Sequence, residues 1–127
     1  MGTITQRVAV LLVDDNEDQL AAFAKLLQSA GIDSEVASSG HDALALILQH
    51  TPDVLVVDGR LSDMTAVDVI ARARQLAPHL PAMVVTGYPP HHPTVAPALA
   101  TSQSAYVAKP VDFATFYREL AKVLGCA

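Results

Sequence analysis

Short apolar runs alternate with segments of helical periodicity along the chain. Runs of strand length cover about residues 8–14, 32–37, 53–58, 81–86 and 104–108. Between them, apolar residues recur every three or four positions, which is the spacing of one helix face. Strands that alternate with helices form βαβ units, in which the strands run parallel and helices cover both faces of the sheet. The pattern therefore predicts an α/β domain with five such repeats.

Capping residues and helix breakers set the predicted limits of the helices. Asparagine, serine and aspartate favour the N-cap, and glycine or proline ends a helix. The predicted limits are Asn16 and Gly31 for the first helix, Ser39 or Gly40 and Pro52 for the second, Thr65 and Ala77 for the third, and Asp112 for the start of the last. The predicted inner faces are Leu20, Phe23, Ala24 and Leu27, then Ala43, Leu44, Ile47 and Leu48, and finally Phe113, Phe116, Leu120 and Val123.

The segment after the fourth strand is rich in proline. Four prolines lie within residues 88–97, and each fixes φ and removes a backbone donor. We expect a long loop there and a short helix at about 94–103, with Pro97 tolerated in its first turn. The adjacent residues His91 and His92 match no zinc-motif spacing, so we interpret both as solvated loop residues.

Composition and charge exclude several classes of protein. A length of 127 residues with 51% hydrophobic content suits one domain with a packed core. No apolar stretch approaches the roughly 20 residues needed to cross a bilayer, and residues 1–7 lack the apolar segment of a secretory signal. A cytoplasmic location without membrane attachment is therefore expected. The net charge of −5 argues against a nucleic-acid-binding surface, and the one cysteine, Cys126, cannot form an internal disulfide.

Polar side chains stand where the predicted strands end. They are Asp14 and Asp15 after the first strand, Asp58 at the third, Thr86 at the fourth and Lys109 after the fifth. Because the carboxyl ends of parallel strands lie along one edge of a sheet, these groups are predicted to share a crevice. Several ionised carboxylates in one crevice are favourable only beside a cation, and hard oxygen ligands suit magnesium. Asp58 would then serve as a carboxylate nucleophile toward phosphorus, with Lys109 balancing the charge of the transferred group.

Each of these residues taken alone also has an ordinary structural explanation. A pair of aspartates after a strand commonly caps a helix, and a strand threonine is simply β-branched. A lysine before proline, as in Lys109-Pro110, usually means a solvated side chain beside a turn. The ordered set favours the site over these explanations.

In that order and on those elements, the residues resemble the receiver domain of two-component response regulators. The resemblance rests on Asp14-Asp15, Asp58, Thr86, and Tyr106 followed by Lys109-Pro110, and it spans essentially the whole chain. It implies a flavodoxin-like, doubly wound (βα)5 domain with strand order 2-1-3-4-5, the order that flavodoxin and the chemotaxis receiver share. It also implies a cis peptide bond between Lys109 and Pro110.

The resemblance further implies a role for each site residue. Asp15 and Asp58 would ligate Mg²⁺ directly, Asp14 would act mainly through water, and the backbone carbonyl of Arg60 would complete the protein ligands. Thr86 would donate its hydroxyl to a phosphoryl oxygen, and Tyr106 would swing inward when Thr86 moves. The bulky side chains of Arg60 and Tyr88 flank the path of attacking water, so we expect them to slow hydrolysis of the acyl phosphate.

The implied function is that of a signalling switch that catalyses only its own phosphorylation and dephosphorylation. A histidine kinase or a histidine phosphotransfer protein would supply the phosphoryl group to Asp58. The receiver core would cover about residues 7–125, with no output domain after the last helix. The sequence leaves open whether the chain stands alone or is cut from a longer regulator or hybrid kinase. The output partner is unspecified, and the fourth helix, fifth strand and fifth helix are a candidate face for a homodimer.

The chain departs from the family pattern, and two other functions remain as alternatives. Ser62 and Ala66 stand where the family commonly has proline and glycine, and the prolines disturb the fourth helix. A degenerate receiver that binds partners without phosphorylation is one alternative. The other is a hydrolase of the haloacid-dehalogenase type, which needs a second aspartate two residues after its nucleophile. Here Arg60 follows Asp58 and Asn16 follows Asp14 at that spacing.

Overall fold

Five parallel strands form one sheet in the order β2-β1-β3-β4-β5, as the resemblance implied. The computed structural model describes residues 8–59 and 61–125, so Cys126 lies outside the described residues. The strands are β1 (Ala9–Val13), β2 (Asp33–Ala37), β3 (Val54–Asp58), β4 (Ala82–Thr86) and β5 (Ser104–Ala108). In the register, Val13 pairs with Val57, and Val57 pairs with Val84. The strands therefore end close to one another along the carboxyl edge.

The helices begin where polar side chains cap them. They are α1 (Glu17–Ser29), α2 (Gly40–Gln49), α3 (Ala66–Leu76), α4 (Ala96–Leu99) and α5 (Phe113–Val123). Asn16 accepts a hydrogen bond from the Gln19 N–H, and Ser39 and Thr65 cap α2 and α3 in the same way. Asp112 occupies the N-cap position of α5. None of these helices, across residues 8–59 and 61–125, is long and apolar enough to cross a membrane.

The sheet separates two apolar clusters, because successive side chains of a strand point to opposite faces. Helices α2, α3 and α4 cover one face, over Leu11, Leu55 and Val84. Helices α1 and α5 cover the other, where Phe116 and Leu120 are fully buried. The prediction that Leu48 lies on the inner face of α2 was wrong, since its side chain is 73% exposed. Ala43 and Ile47 form the buried stripe, and Leu48 lies about 100° further round the helix.

Helix α4 ends at Leu99, short of the predicted 103, and the chain after it turns through Gln103, whose φ of 56° is not helical. Pro97 lies in its first turn, as expected. The Arg74 guanidinium reaches across from α3 and donates to the carbonyls of Ser102 and Gln103, at 3.1 Å each. Nε of Arg74 donates to the Leu80 carbonyl at 3.0 Å, and further contacts join the guanidinium to the hydroxyls of Thr101 and Ser104. Together with the hydrogen bond from the Ala82 N–H to the Gln103 carbonyl, these bonds hold the chain between α4 and β5 in place. We call residues 87–103 the β4–β5 connection.

Candidate functional site

Three carboxylates meet at the carboxyl edge of the sheet. Asp14 and Asp15 follow β1, and Asp58 is the last residue of β3. One oxygen of each lies within 4.8 Å of the other two. The side chains of Asp14 and Asp58 are 14% and 16% exposed, whereas Asp15 is exposed to solvent. The backbone N–H of Asp14 donates to the Ala37 carbonyl, which extends the strand pairing to the site itself.

Lys109 joins this cluster from the end of β5. Its Nζ lies 3.2 Å from Oδ2 of Asp14 and 3.5 Å from Oδ1 of Asp58, and it also donates to Oε1 of Gln19 at 3.0 Å. The Lys109 N–H donates to the Thr86 carbonyl, and the Lys109–Pro110 peptide bond is cis, as the resemblance implied. The ammonium therefore bridges two of the carboxylates. We call Asp14, Asp15, Asp58 and Lys109 the acidic pocket.

The acidic pocket holds the Asp58 carboxylate at an electrostatic cost. Burial raises the pKa of Asp58, and repulsion from Asp14 and Asp15 raises it further, although Lys109 acts in the opposite direction. One ammonium does not fully offset three carboxylates, so a divalent cation would relieve the remaining repulsion. The donors are carboxylate oxygens, which are the ligands that magnesium prefers. The residues present therefore fit a magnesium ion.

A cleft of about 540 Å³ opens beside the acidic pocket. Asp14, Asp58 and Lys109 line it. Its other walls are largely apolar and come from α1, the sheet and the segment after β5, including Leu20, Phe23, Leu26, Val85, Pro110 and Val111. Asp58 is therefore reached along largely apolar walls.

Thr86 lies next to the acidic pocket, at the end of β4. The residue is 2% exposed, and its Oγ1 accepts a hydrogen bond from the Tyr88 N–H at 3.2 Å. Gly59, directly after Asp58, packs against it so closely that a Cβ at Gly59 would stand 2.5 Å from Oγ1 and 2.7 Å from Cβ of Thr86. Sequence reasoning missed Gly59. Its signal was a glycine directly after a strand-end aspartate, since glycine often marks a close backbone approach.

Tyr106, in the middle of β5, contacts the same segment. Its hydroxyl donates to the Tyr88 carbonyl at 2.6 Å, and its half-buried ring packs against the cluster beneath α2 and α3. Thr86 and Tyr106 thus both hydrogen-bond the backbone of Tyr88. The inward movement of Tyr106 stays a prediction, and its ring already rests against the core in this conformation.

The side chain of Tyr88 stacks on His92. The ring centroids are 4.0 Å apart and the planes are inclined by 13°. The interpretation of His92 as a solvated loop residue was wrong, because its ring is held by this stack and by Thr94, whereas His91 is exposed as predicted. Tyr88 does not line the cleft beside Asp58. Its expected shielding of the acyl phosphate stays a prediction.

Arg60 lies outside the described residues, and so do the two roles predicted for it. The loop that follows is fixed to the start of α2 by Asp63. The Asp63 carboxylate accepts hydrogen bonds from the N–H groups of Gly40 and His41, at 3.0 Å each, and contacts His41 Nδ1 at 2.6 Å. These bonds lower the pKa of Asp63 to about 2, and the bond from the Gly40 N–H contributes most. The position of this loop therefore depends on α2.

Comparison with known proteins identifies relatives over nearly the full chain. The family model of the response regulator receiver domain matches residues 10–121. The transcriptional regulatory protein ZraR of Salmonella typhimurium is 29% identical over 122 residues, which are 96% of this chain and 27% of that protein. The photosynthetic apparatus regulatory protein RegA of Cereibacter sphaeroides is 35% identical over 104 residues, covering 82% of this chain and 56% of that protein. The chain thus spans only about a quarter to a half of the length of these two relatives.

A solved structure agrees with these sequence matches. The CheY-like response regulator receiver domain protein of Methanospirillum hungatei superposes with a TM-score of 0.86. It is 25% identical, and the match covers 94% of this chain and 95% of that one. The likeness therefore includes the complete sheet and its helices.

Proposed function

The chain belongs to the family of response regulator receiver domains, and we propose that it acts as a phosphorylation-operated switch in a two-component system. The observation that carries the proposal is the acidic pocket: three carboxylate oxygens within 4.8 Å of one another, with the Lys109 ammonium beside them. In the proposal the domain acts in the cytoplasm, and a histidine kinase or a histidine phosphotransfer protein donates the phosphoryl group. An output partner, and a homodimer through α4, β5 and α5, belong to the same proposal.

Asp58 is the proposed phosphoacceptor. A carboxylate oxygen of Asp58 attacks the phosphorus of a phosphohistidine, an O–P bond forms, the P–N bond breaks, and the leaving imidazole nitrogen takes up a proton. Lys109 lies close enough to Asp58 to balance the charge of the transferred group. Asp15 and Asp58 would hold Mg²⁺ directly, Asp14 through water, and Arg60 through its backbone carbonyl. When bound, magnesium would supply charge neutralisation at the carboxylates and the phosphoryl oxygens.

Thr86 and Tyr106 are the proposed switch residues. The Thr86 hydroxyl would donate to a phosphoryl oxygen on Asp58, and this bond would exist only in the phosphorylated form. A ligand shifts a conformational equilibrium only through interactions that differ between the two states. The contacts of both switch residues with the Tyr88 backbone support their coupling, because a movement of Thr86 disturbs the residue that Tyr106 also binds.

Labelling by a small phosphoryl donor tests the acceptor. Wild-type protein incubated with acetyl phosphate and Mg²⁺ is expected to gain one alkali-labile phosphoryl group. Asp58→Asn should abolish the label, and Asp53→Asn, an exposed aspartate at the opposite end of β3, should keep it. Label in Asp58→Asn would contradict the assignment. Absence of both magnesium binding and labelling in the wild type would instead favour the phosphorylation-independent binding module.

The lifetime of the label tests Arg60 and Tyr88. We propose that their side chains shield the acyl phosphate, so an Arg60→Ala, Tyr88→Ala double variant should lose its label faster than the wild type. The Tyr88 ring does not line the cleft in this conformation, so shielding requires it to move toward Asp58 with His92 still stacked on it. Equal decay rates in the two proteins would reject shielding.

A further inference from the structure

We propose that His92 couples Thr86 and Tyr106 to helix α4 through its stack on Tyr88. The inference rests on the proposed function, because Thr86 and Tyr106 are switch residues only if Asp58 is phosphorylated. His92 is then a positioning residue, which touches neither the acceptor nor the cation. Its role is to make the start of α4 follow the movement of Tyr88.

Tyr88 is the point at which the two switch residues meet. Its N–H donates to Oγ1 of Thr86 and its carbonyl accepts from the hydroxyl of Tyr106. A displacement of either side chain must therefore rotate or shift the Tyr88 peptide groups. The Tyr88 ring is attached to the same backbone and moves with it. The contacts of the Tyr88 ring therefore determine which neighbouring segment is displaced with it.

The prolines after Tyr88 bring His92 back onto its ring. The His92 N–H donates to the Pro89 carbonyl at 3.0 Å, which closes a turn over residues 89–92. Pro90 occupies the second position of this turn, where the fixed φ of proline is favoured. The two rings then lie almost parallel at 4.0 Å. The proline-rich stretch therefore forms an ordered turn that brings the chain back to Tyr88.

The carbonyl and the ring nitrogen Nδ1 of His92 are hydrogen-bonded to residues at the start of α4. Its carbonyl accepts the N–H groups of Val95 and Ala96, at 2.8 and 2.9 Å. The Thr94 N–H donates to Nδ1 of the His92 ring at 3.2 Å, and the Thr94 hydroxyl lies 2.8 Å from the same nitrogen. Since a backbone N–H can only donate, Nδ1 accepts here and the ring orientation is fixed. His92 therefore contacts Tyr88 with its ring face and the first residues of α4 with its polar groups.

The covalent chain and the stack on His92 both connect Tyr88 to α4, and they make different predictions. The covalent route runs through residues 89–91 and depends on no single side chain. The stacked route runs through the His92 ring and fails when that ring is removed. Stacked aromatic pairs change a two-state population by roughly two- to twelvefold. A loss of coupling in that range is measurable, and we expect the stacked route to dominate.

Amide NMR shifts on phosphorylation with acetyl phosphate and Mg²⁺ distinguish the routes. In the wild type, the amides of Thr86 and Tyr88 should shift, and so should those within residues 95–99, which are Val95, Ala96, Ala98 and Leu99 because Pro97 has no N–H. In His92→Ala the near amides should still shift, whereas the shifts at residues 95–99 should fall at least twofold. His92→Phe, which keeps a stacking ring, should restore them. The neighbouring His91→Ala, at an exposed site, serves as the matched control and should behave as the wild type.

The outcomes separate this inference from the proposed function. If the wild type gains no label, the proposed function fails. If the wild type labels and His92→Ala keeps full shifts at residues 95–99, the covalent route suffices and the inference is overturned. His92→Leu retains side-chain volume without an aromatic face and answers the same question should His92→Ala fold poorly. Full α4 shifts in His92→Leu would also overturn the inference.

Discussion

The β4–β5 connection starts at the edge of the sheet that holds the acidic pocket and crosses to the other edge, and the two regions are ordered by different means. Every member of the acidic pocket ends or follows a strand of the sheet, so the sheet itself brings them together. The β4–β5 connection is ordered by side chains that reach it or lie within it, the stack of Tyr88 on His92 and the hydrogen bonds of Arg74. One region follows from backbone geometry and the other from particular side-chain contacts.

The two regions also differ in what they contribute to stability. In the acidic pocket, burial and neighbouring carboxylates raise the pKa of Asp58, so the charged form destabilises the fold there. In the connection, the carbonyls of Ser102 and Gln103 are satisfied by a charged donor. The acidic pocket is therefore expected to destabilise the fold when no cation is bound, and the β4–β5 connection is expected to stabilise it. Substitutions in each region test this contrast.

The largest effect is expected at Gly59, which follows Asp58 of the acidic pocket and packs against Thr86, the last residue before the β4–β5 connection. Gly59→Ala places a methyl group 2.7 Å from Cβ of Thr86, so rotation of the Thr86 side chain cannot relieve the overlap and the backbone must move. We expect a loss of about 3 kcal/mol in the free energy of unfolding, measured with urea. Gly87→Ala is the matched control, since a Cβ there meets nothing within 4 Å. Equal losses in both variants would show that the contact with Thr86 is unimportant.

Arg74→Ala should give the next largest effect. The change removes donors from the carbonyls of Leu80, Ser102 and Gln103; Gln103 keeps the Ala82 N–H, and water would replace part of the rest. A loss of about 2 kcal/mol in the free energy of unfolding is expected. Arg72→Ala, at an exposed position of the same helix, should change it by less than about 0.5 kcal/mol. If the two variants lose the same amount, side-chain contacts do not order the connection.

Asp58→Asn should stabilise the protein at neutral pH in the absence of magnesium. The pKa of Asp58 is raised by folding, so its contribution to stability is complete below the unfolded value of about 4 and is lost as the pH rises through the folded value. The variant should therefore be more stable than the wild type at pH 7 and lose this advantage near pH 3.5. Urea unfolding at both pH values checks the sign. A less stable variant at pH 7 would contradict the electrostatic cost assigned to the acidic pocket.

Asp63→Asn should give the smallest effect, with the opposite dependence on pH. The pKa of Asp63 is lowered to about 2, so its contribution is present above the unfolded value of about 4 and is lost as the pH falls toward 2. Solvent screens this site, so a loss of about 0.5 kcal/mol is expected at pH 7, shrinking below pH 4. His41→Ala keeps both backbone donors and separates the imidazole contribution. A pH-independent difference would exclude the carboxylate as its cause.

Much of the fold follows from local sequence patterns. The fifth strand was predicted at 104–108 and is found there, and the caps Asn16, Ser39 and Thr65 mark the starts of three helices. The gathering of the acidic pocket follows from the strand-end rule, because parallel strands end at one edge. The chemical roles of its residues stay predictions. Backbone periodicity thus determines where these groups lie.

What the sequence did not reveal depends on contacts between elements. Arg74, a residue of α3, holds the chain after α4, and no periodicity within 94–103 signals that contact. The order of His92 depends on a turn that returns its ring to Tyr88, whereas the prolines alone suggested an irregular loop. Leu48 was misplaced because its spacing fits a wider apolar stripe than the edge of this sheet covers.

The tight contact of Gly40 with Met64 limits how these two positions can vary during evolution. A Cβ at Gly40 would stand 2.5 Å from Cγ and Sδ of Met64, which are atoms of a flexible side chain. A shorter residue at position 64 would make room for a side chain at position 40. The two positions can therefore both change, provided that Met64 is replaced first. At Gly59 the obstructing atoms include Cβ of Thr86. Every residue except glycine has a Cβ, so only glycine at position 86 would remove this obstruction. One glycine is therefore replaceable through a compensating substitution, and the other is fixed for as long as a threonine faces it.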